Sequence, residues 1–187
     1  FKQTFFTNYA YDDGQAEYGY AYPPSGGSVA MKFTNYKSDS IFALFIYTMP
    51  VDYDIENSVF NIKIWEDSGN GPGAEVGSTQ TNLQYGLDEF QQSWIYTFDE
   101  PVYVPSGSFY VGYTQTTQTN GVKIGLDIST NANPGKLYYR EGSSWSGSGF
   151  NGTVMIRPMF TSNGYQDVIS STSDLSVVKG IKIYPNP

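Results

Sequence analysis

The sequence predicts an all-β domain, and three observations lead to this prediction. Aromatic residues are abundant, with 17 Tyr, 12 Phe and 3 Trp in 187 residues, and such side chains favour the pleated surface of a sheet. The 20 Gly and 10 Pro interrupt regular structure, which indicates many short strands joined by turns. No stretch combines helix caps with a helical apolar period. We therefore expect a single antiparallel β-sandwich of jelly-roll type over residues 1–160.

The first strands are predicted from the alternation of apolar and polar residues. Residues 28–34 alternate regularly, which is typical of a half-buried strand. Residues 41–49 are apolar at both parities, so we expect a central strand that is covered on both sides. Residues 58–65 alternate again and place Trp65 on the face opposite their apolar side chains.

The second half of the chain contains the remaining strand candidates. A Gly/Ser-rich loop carrying Trp145 is predicted over residues 141–152. The spacing of about eight to ten short strands favours two packed sheets. The two pairs expected to be antiparallel neighbours are 109–114 with 122–128, and 137–140 with 153–160. The other candidates are residues 94–98 and the edge segment 101–105.

Composition excludes several classes of function. The chain has no cysteine and no histidine, so disulfides, thiolate metal sites and Ser-His-Asp or Cys-His catalysis are ruled out. A net charge of −8 argues against nucleic acid and anionic membranes as partners. No apolar run is long enough for a membrane span, and no signal peptide is present. We therefore expect the sequence to begin inside a longer precursor.

An acidic segment near the start of the chain is the candidate metal site. Asp12, Asp13 and Glu17 surround a glycine, and Ca²⁺ prefers several oxygen ligands from a loop that can fold around it. The spacing is not that of an EF-hand. Two interpretations therefore remain, a calcium site and an Asp-Gly turn whose carboxylates cap backbone NH groups.

Two further polar features have structural interpretations. Residues 66–73 contain three glycines and predict a wide hairpin turn rather than a phosphate-binding loop. Asp127 and Arg157 are candidates for a buried ion pair between two strands. Carboxylates could in principle hydrolyse glycosides without histidine. Because the acidic residues lie in turn-like loops with no defined separation, we expect no enzymatic activity.

The candidate ligand-binding residues are aromatic, with one arginine. Sugar rings present apolar CH faces to flat side chains, and their hydroxyls pair with polar groups. The alternative is that such rings fill the core, since a chain with so many aromatics exposes several by chance. The candidates are Trp65, Tyr138, Tyr139, Arg140 and Trp145.

Several short motifs occur in a fixed order along the chain. Together they resemble a jelly-roll-like accessory domain that precedes the C-terminal sorting domain of type IX secretion substrates. Residues 179–187 (KGIKIYPNP) resemble the first strand of that sorting domain, and residues 161–178 are a polar linker. The motifs are AYDDG (10–14), AE (16–17), GY (19–20), KF (32–33), WED (65–67), GPG (71–73), FYVGY (109–113), IGLD (124–127) and MIRP (155–158).

The resemblance implies a place and a partner for the domain. Members of this family are exported, so the protein is expected to be secreted or attached to the cell surface and to engage the type IX machinery. The favoured function is non-catalytic binding of polysaccharide or cell-surface glycan. The alternative is a structural spacer or adhesion domain without a small-molecule ligand. No catalytic residue is carried over by the resemblance.

Overall fold

The protein is described here by a computed structural model, which covers residues 9–22, 25–49, 58–79, 82–84, 93–116, 121–129 and 135–161. The described residues form thirteen β-strands and no α-helix, and every strand pair is antiparallel. The predicted all-β sandwich is therefore confirmed. No helix in these ranges could cross a membrane.

The strands are numbered in chain order. They are β1 (Tyr18–Tyr20), β2 (Ser28–Asn35), β3 (Asp39–Tyr47), β4 (Val59–Asp67), β5 (Pro72–Ser78), β6 (Leu83–Gln84), β7 (Ser93–Val104), β8 (Gly107–Gln115), β9 (Ile124–Asp127), β10 (Leu137–Glu141), β11 (Ser144–Gly147), β12 (Thr153–Val154) and β13 (Ile156–Phe160).

Two layers of strands make up the sandwich. The first layer is one sheet in the order β11-β10-β2-β8-β4-β5, with β6 also paired to β4. The second layer combines the sheets β13-β3-β7 and β1-β9-β12. A bridge between Thr48 and Ile124 joins these two sheets, and the Tyr47 NH donates to the Met155 carbonyl at 3.0 Å. From β2 onwards the chain passes repeatedly from one layer to the other, as jelly-roll connectivity requires.

The main core lies between the layers and follows the predicted alternation. On β2, Val29, Met31 and Phe33 are at most 1% exposed and point inwards. Strand β3 is apolar on both faces, as predicted, because Leu44 packs in the main core and Phe45 packs in a separate cluster. The inward residues supply the burial that stabilises the two-layer arrangement.

Both predicted strand pairings were wrong. Residues 109–114 do not pair with 122–128, because β8 lies between β2 and β4 while β9 belongs to the second layer. Residues 137–140 do not pair with 153–160 either, since β10 pairs with β2 and β11 and β13 pairs with β3. Alternation identifies the face of a strand but carries no information about its neighbour.

Of the two predicted loops, one is partly a strand and the other is present as predicted. The segment 141–152 is not wholly a loop, because Ser144–Gly147 forms β11 and closes a hairpin with β10. The hairpin turn predicted at residues 66–73 is present between β4 and β5. Gly69 and Gly71 adopt φ of 90° and 148°, which favours glycine, and the Ser68 NH donates to the Gly71 carbonyl at 3.0 Å. The segment 179–187, predicted to begin a sorting domain, and the predicted linker beyond residue 161 lie outside the described residues.

Candidate functional site

Four of the five predicted ligand-binding residues lie on one face of the first layer. Tyr138 is paired with Ala30, and Arg140 is paired with Trp145 across the β10-β11 hairpin. Directly paired residues point to the same side of a sheet, and here that side faces away from the main core. Tyr139 alternates with Tyr138 and therefore points to the opposite side.

Three of these four residues belong to a further apolar cluster, which we call the outer cluster: Ala30, Trp65, Tyr110, Tyr138 and Trp145. The Trp65 and Trp145 rings meet edge to face with centroids 5.1 Å apart. The Tyr110 and Tyr138 rings do the same at 5.3 Å. Edge-to-face pairs contribute about 0.5–1.5 kcal/mol each beyond the area they bury. The outer cluster is thus a packed feature of the fold.

The contact between Trp65 and Trp145 requires a curved sheet. Four strand spacings separate β11 from β4, which is about 19 Å in a flat sheet. Ala30 and Gly112 are paired midway between these strands and carry almost no side chain. A Cβ built on Gly112 would lie 1.8 Å from the Val29 carbonyl oxygen. Ala30 packs in the same apolar cluster as Trp65, Tyr110 and Trp145, and its small side chain leaves room there for the larger rings.

A charged group borders the outer cluster beside Tyr110. Lys32 Nζ lies 2.8 Å from Asp67 Oδ2, and the Tyr110 hydroxyl donates to Asp67 Oδ1 at 3.4 Å. The hydrogen bond from Lys32 lowers the pKa of Asp67. Burial, followed by the nearby Tyr138 and Asp67, raises the pKa of Tyr110 well above its usual value. The Tyr110 hydroxyl is therefore a neutral hydrogen-bond donor throughout the physiological pH range.

Arg140 differs from the other cations around the sheet. Its guanidinium carbon lies 5.3 Å from the centre of the Trp145 ring, a cation-π contact. The ion pairs among the described residues use Lys32, Lys63 and Arg157, and none uses Arg140. Arg140 Nε is buried, and no residue in the described ranges accepts a hydrogen bond from it. A buried NH group without an acceptor is unusual and calls for an explanation.

The rings of the outer cluster differ in exposure. Trp65 does lie on the outward face, as its position in the alternation predicts, but only 1% of its surface is exposed. Its ring cannot stack on a ligand in this conformation, so it supports Trp145 instead. Tyr138 and Trp145 are half-buried and keep accessible surface. Tyr110 was not among the predicted site residues. It is fully buried, and it points to the same outer face as Gly112, which lies two residues further along β8.

Tyr139 belongs to a separate aromatic group. Its ring lies 5.2 Å from that of Tyr22. Nearby, Tyr20 contacts Phe150 edge to face at 5.8 Å and donates a hydrogen bond to Ser148 Oγ at 3.4 Å. Phe150 is 65% exposed. Tyr139 therefore does not contribute to the outer cluster.

The predicted metal ligands serve other purposes. Asp12 is buried and makes a two-pronged ion pair with Arg157, in which Nε lies 3.1 Å from Oδ2. Asp13 Oδ1 accepts a hydrogen bond from the Gln15 NH, and Glu17 Oε2 accepts one from the Ile128 NH, both at 2.9 Å. These contacts match the interpretation as a turn with backbone caps.

Arg157 therefore pairs with Asp12, and the predicted partner Asp127 was wrong. Asp127 is fully buried and accepts hydrogen bonds from the Asp13 NH and the Ser129 NH, each at 2.9 Å. No group of three or more acidic side chains in the described ranges is arranged to hold a metal ion. The calcium site at Asp12, Asp13 and Glu17 stays a prediction without support from this geometry.

The acidic segment thus acts as a strap across the second layer. The Asp12 side chain reaches the MIRP motif through Arg157. At the end of the IGLD motif, the Asp13 NH donates to Asp127 and the Glu17 side chain accepts from the Ile128 NH. Strand β1, which follows, pairs with β9 from Tyr18 to Tyr20. Motifs that are far apart in sequence therefore meet in one structural assembly.

An open groove of about 670 Å³ lies between β5 and β7 and contains none of the predicted site residues. Its lining includes Glu75, Asp99, Glu100 and the 63% exposed Tyr103. Glu75 is already paired with Lys63 at 2.6 Å. Acidic side chains at an open seam between two strands are ordinary solvated surface, so we do not place the site there.

Comparison with known proteins adds no assignment. No protein-family model matches this sequence, and no curated protein matches it.

Proposed function

We propose that this domain is a non-catalytic module that binds carbohydrate through the outer cluster. The observation that carries the proposal is the grouping of two half-buried rings, Tyr138 and Trp145, with the unpaired Arg140. Aromatic rings stack on the CH faces of sugars, and a guanidinium donates hydrogen bonds to sugar oxygens. The three side chains come from one hairpin and lie on one face.

The packing beneath the rings favours binding. Trp65 and Tyr110 are at most 1% exposed and contact Trp145 and Tyr138 from below. A ring that is already held by its neighbours loses little conformational entropy when a ligand stacks on it. The outer cluster is therefore a preorganised surface.

The acidic side chains support a non-catalytic role. Two nominal carboxylate pairs exist, Asp12 with Glu17 and Glu66 with Asp67. One member of each is held in an ion pair, Asp12 by Arg157 and Asp67 by Lys32. Glycoside hydrolysis needs one carboxyl group as acid and another as base or nucleophile. Carboxylates that are fixed by cations fit neither role well.

The setting of the domain is part of the proposal. The KIYPNP segment within residues 179–187 resembles the start of a type IX sorting domain, so we infer that the domain travels with a larger exported protein to the cell surface or beyond. Carbohydrate at that surface is the ligand we assign to it.

Isothermal titration against a panel of neutral and acidic polysaccharides tests the binding function. We expect heat of binding with at least one polysaccharide and its loss in Trp145→Ala and Tyr138→Ala. Tyr103→Ala is the matched control, because Tyr103 is 63% exposed and lies on β7, away from the outer cluster. Equal loss in the control would remove the outer cluster as the site.

The alternative function is a structural spacer. It is favoured by the strap, because the acidic side chains of residues 12–17 serve internal contacts that rigidify the domain. A spacer gives no heat with any polysaccharide, and its Trp145→Ala variant changes only stability. Reducing-sugar release by the purified domain would contradict both proposals.

A further inference from the structure

We infer that the ligand carries carboxylate groups, so that the outer cluster selects acidic polysaccharides built from uronic acids. This inference rests on the proposed carbohydrate-binding function and adds the class of sugar. It comes from Arg140, a cation beside the outer cluster that forms no ion pair with any described carboxylate.

The first step concerns the missing partner of Arg140. The chain has 18 acidic and 10 basic residues, so an acidic partner is statistically easy to obtain. Even so, none of the described carboxylates pairs with Arg140, and its Nε is buried without an acceptor. A half-buried charge without a partner costs free energy and calls for an explanation, and the one we infer is a ligand that binds its remaining NH groups.

The second step concerns the neighbouring acid. Glu141 follows Arg140 directly but points to the opposite side of the strand. On its own side, Arg140 is paired in register with Ser28 and Trp145. The Ser28 hydroxyl is already hydrogen-bonded to Thr114 at 2.8 Å. The two positions paired with Arg140 therefore offer it an aromatic ring but no anion.

The third step concerns geometry. Guanidinium and carboxylate groups form paired, parallel hydrogen bonds. The Arg140 guanidinium lies over the Trp145 ring and its Nε is buried, so such a pair would use its two terminal NH₂ groups. A uronic acid carries its carboxylate directly on the sugar ring. Stacking of that ring on Tyr138, or on a part of Trp145 that Arg140 does not cover, would bring the carboxylate towards the guanidinium. A neutral sugar satisfies the stacking but leaves the guanidinium unpaired.

The net charge of −8 opposes a polyanion at long range. Screening limits that repulsion to about 8 Å at physiological ionic strength. Direct contacts therefore decide the outcome, and Arg140 provides the unpaired cation at the outer cluster. We expect weak long-range attraction of the polysaccharide to the domain, and we expect the preference for acidic over neutral sugars to depend on the ion pair with Arg140.

The experiment compares oligogalacturonate and oligoalginate with their carboxyl-reduced, neutral forms by isothermal titration to the whole chain. We expect the acid forms to bind at least tenfold more tightly than the reduced forms. Arg140→Gln should weaken binding of the acid forms by about tenfold to a hundredfold and leave the reduced forms unchanged. The affinity of Arg140→Lys for the acid forms should lie between those of the unaltered protein and Arg140→Gln, because lysine keeps the charge but cannot form the paired hydrogen bonds.

The matched control is Lys37→Gln, which removes the same charge from an exposed position outside the outer cluster. It should bind all four ligands as the unaltered protein does. Equal affinity for acid and reduced forms, abolished by Trp145→Ala, would overturn the inference and leave the proposed function intact. Binding to neither form of either oligosaccharide would overturn the inference, and the wider polysaccharide panel then decides the proposed function. Thermal melting of each variant verifies that it is folded.

Discussion

Replacement of Gly112 by alanine tests how the outer cluster is built. The new methyl group would lie 1.8 Å from the Val29 carbonyl oxygen, 2.8 Å from its carbonyl carbon and 2.9 Å from the Ala30 Cα. All three atoms belong to the backbone of β2, which is held in register with β8 over the full length of β2. Ordinary van der Waals contact begins at 3.4 Å, so the strands must separate by about 1.6 Å (3.4 − 1.8) at this point.

The expected cost is large because no flexible side chain can absorb the clash. Overpacking by one methyl group in a core costs typically about 1–3 kcal/mol, and disruption of ladder hydrogen bonds adds about 1 kcal/mol each. We therefore expect Gly112→Ala to lower the free energy of unfolding by at least about 3 kcal/mol. Urea unfolding followed by far-UV circular dichroism measures this change, and tryptophan fluorescence reports the packing of Trp65 and Trp145.

Gly147 provides the matched control. Gly147 lies on β11 opposite Tyr138 of β10, and no atom of the described residues lies within 4 Å of a Cβ built on Gly147. Gly147→Ala should be neutral or stabilising by up to about 1 kcal/mol, because alanine restricts the unfolded chain. If Gly112→Ala were as stable as Gly147→Ala, the close approach of β2 and β8 and the account of the curved sheet would be incorrect.

Three further outcomes follow from the ion pairs and the strap. In urea unfolding, Asp12→Asn should destabilise the domain by about 3–5 kcal/mol, because it leaves Arg157 without its buried partner. Asp13 is exposed, so Asp13→Asn should cost less than about 1 kcal/mol in the same measurement. Asp67 has a lowered pKa in the folded state, so its contribution is present above the unfolded pKa of about 3.9 and is lost as the pH falls through the lower folded value. The difference in unfolding free energy between the unaltered protein and Asp67→Asn should therefore be largest near pH 7 and shrink below about pH 4. Because Asp12, Asp13 and Glu17 are engaged in internal contacts, the melting temperature should not change on addition of EDTA or of calcium.

Each of these outcomes has a clear contradiction. Equal stability of Asp12→Asn and Asp13→Asn would show that the strap is not anchored through Arg157. A stability difference for Asp67→Asn that does not vary with pH would remove the ion pair with Lys32 as its cause. A melting temperature that falls with EDTA and recovers with calcium would establish the metal site that the acidic segment predicts.

The layers of the fold were predictable because alternation is a local property. The pattern of residues 28–34 places Val29, Met31 and Phe33 inwards, and all three are buried. Partners were not predictable in the same way. Strand β8 could join any apolar strand, and its position between β2 and β4 depends on contacts distant in sequence.

The candidate site was partly predictable. The alternation of β4 places Trp65 on the outward face, where it lies, yet nothing local indicates that Trp145 covers it from four strands away. Exposure depends on what else lies on that face, and this is a tertiary property. Tyr110 shares its parity with Gly112, so a search for aromatic residues beside small outward-facing ones could have identified it. For the acidic segment, one local pattern fits both a cation site and a capped turn, and only the position of Arg157 separates them.

The most direct test of the account is the NMR signal of the three indole NH groups during titration with oligogalacturonate. The chain has three tryptophans, Trp65, Trp94 and Trp145, and Trp94 lies on β7 in the other layer. The account predicts that the Trp145 signal moves most, that the Trp65 signal follows because it contacts Trp145, and that the Trp94 signal stays in place. A Trp94 shift as large as that of Trp145, or no shift at any indole with the acid or the carboxyl-reduced oligosaccharide, would contradict it.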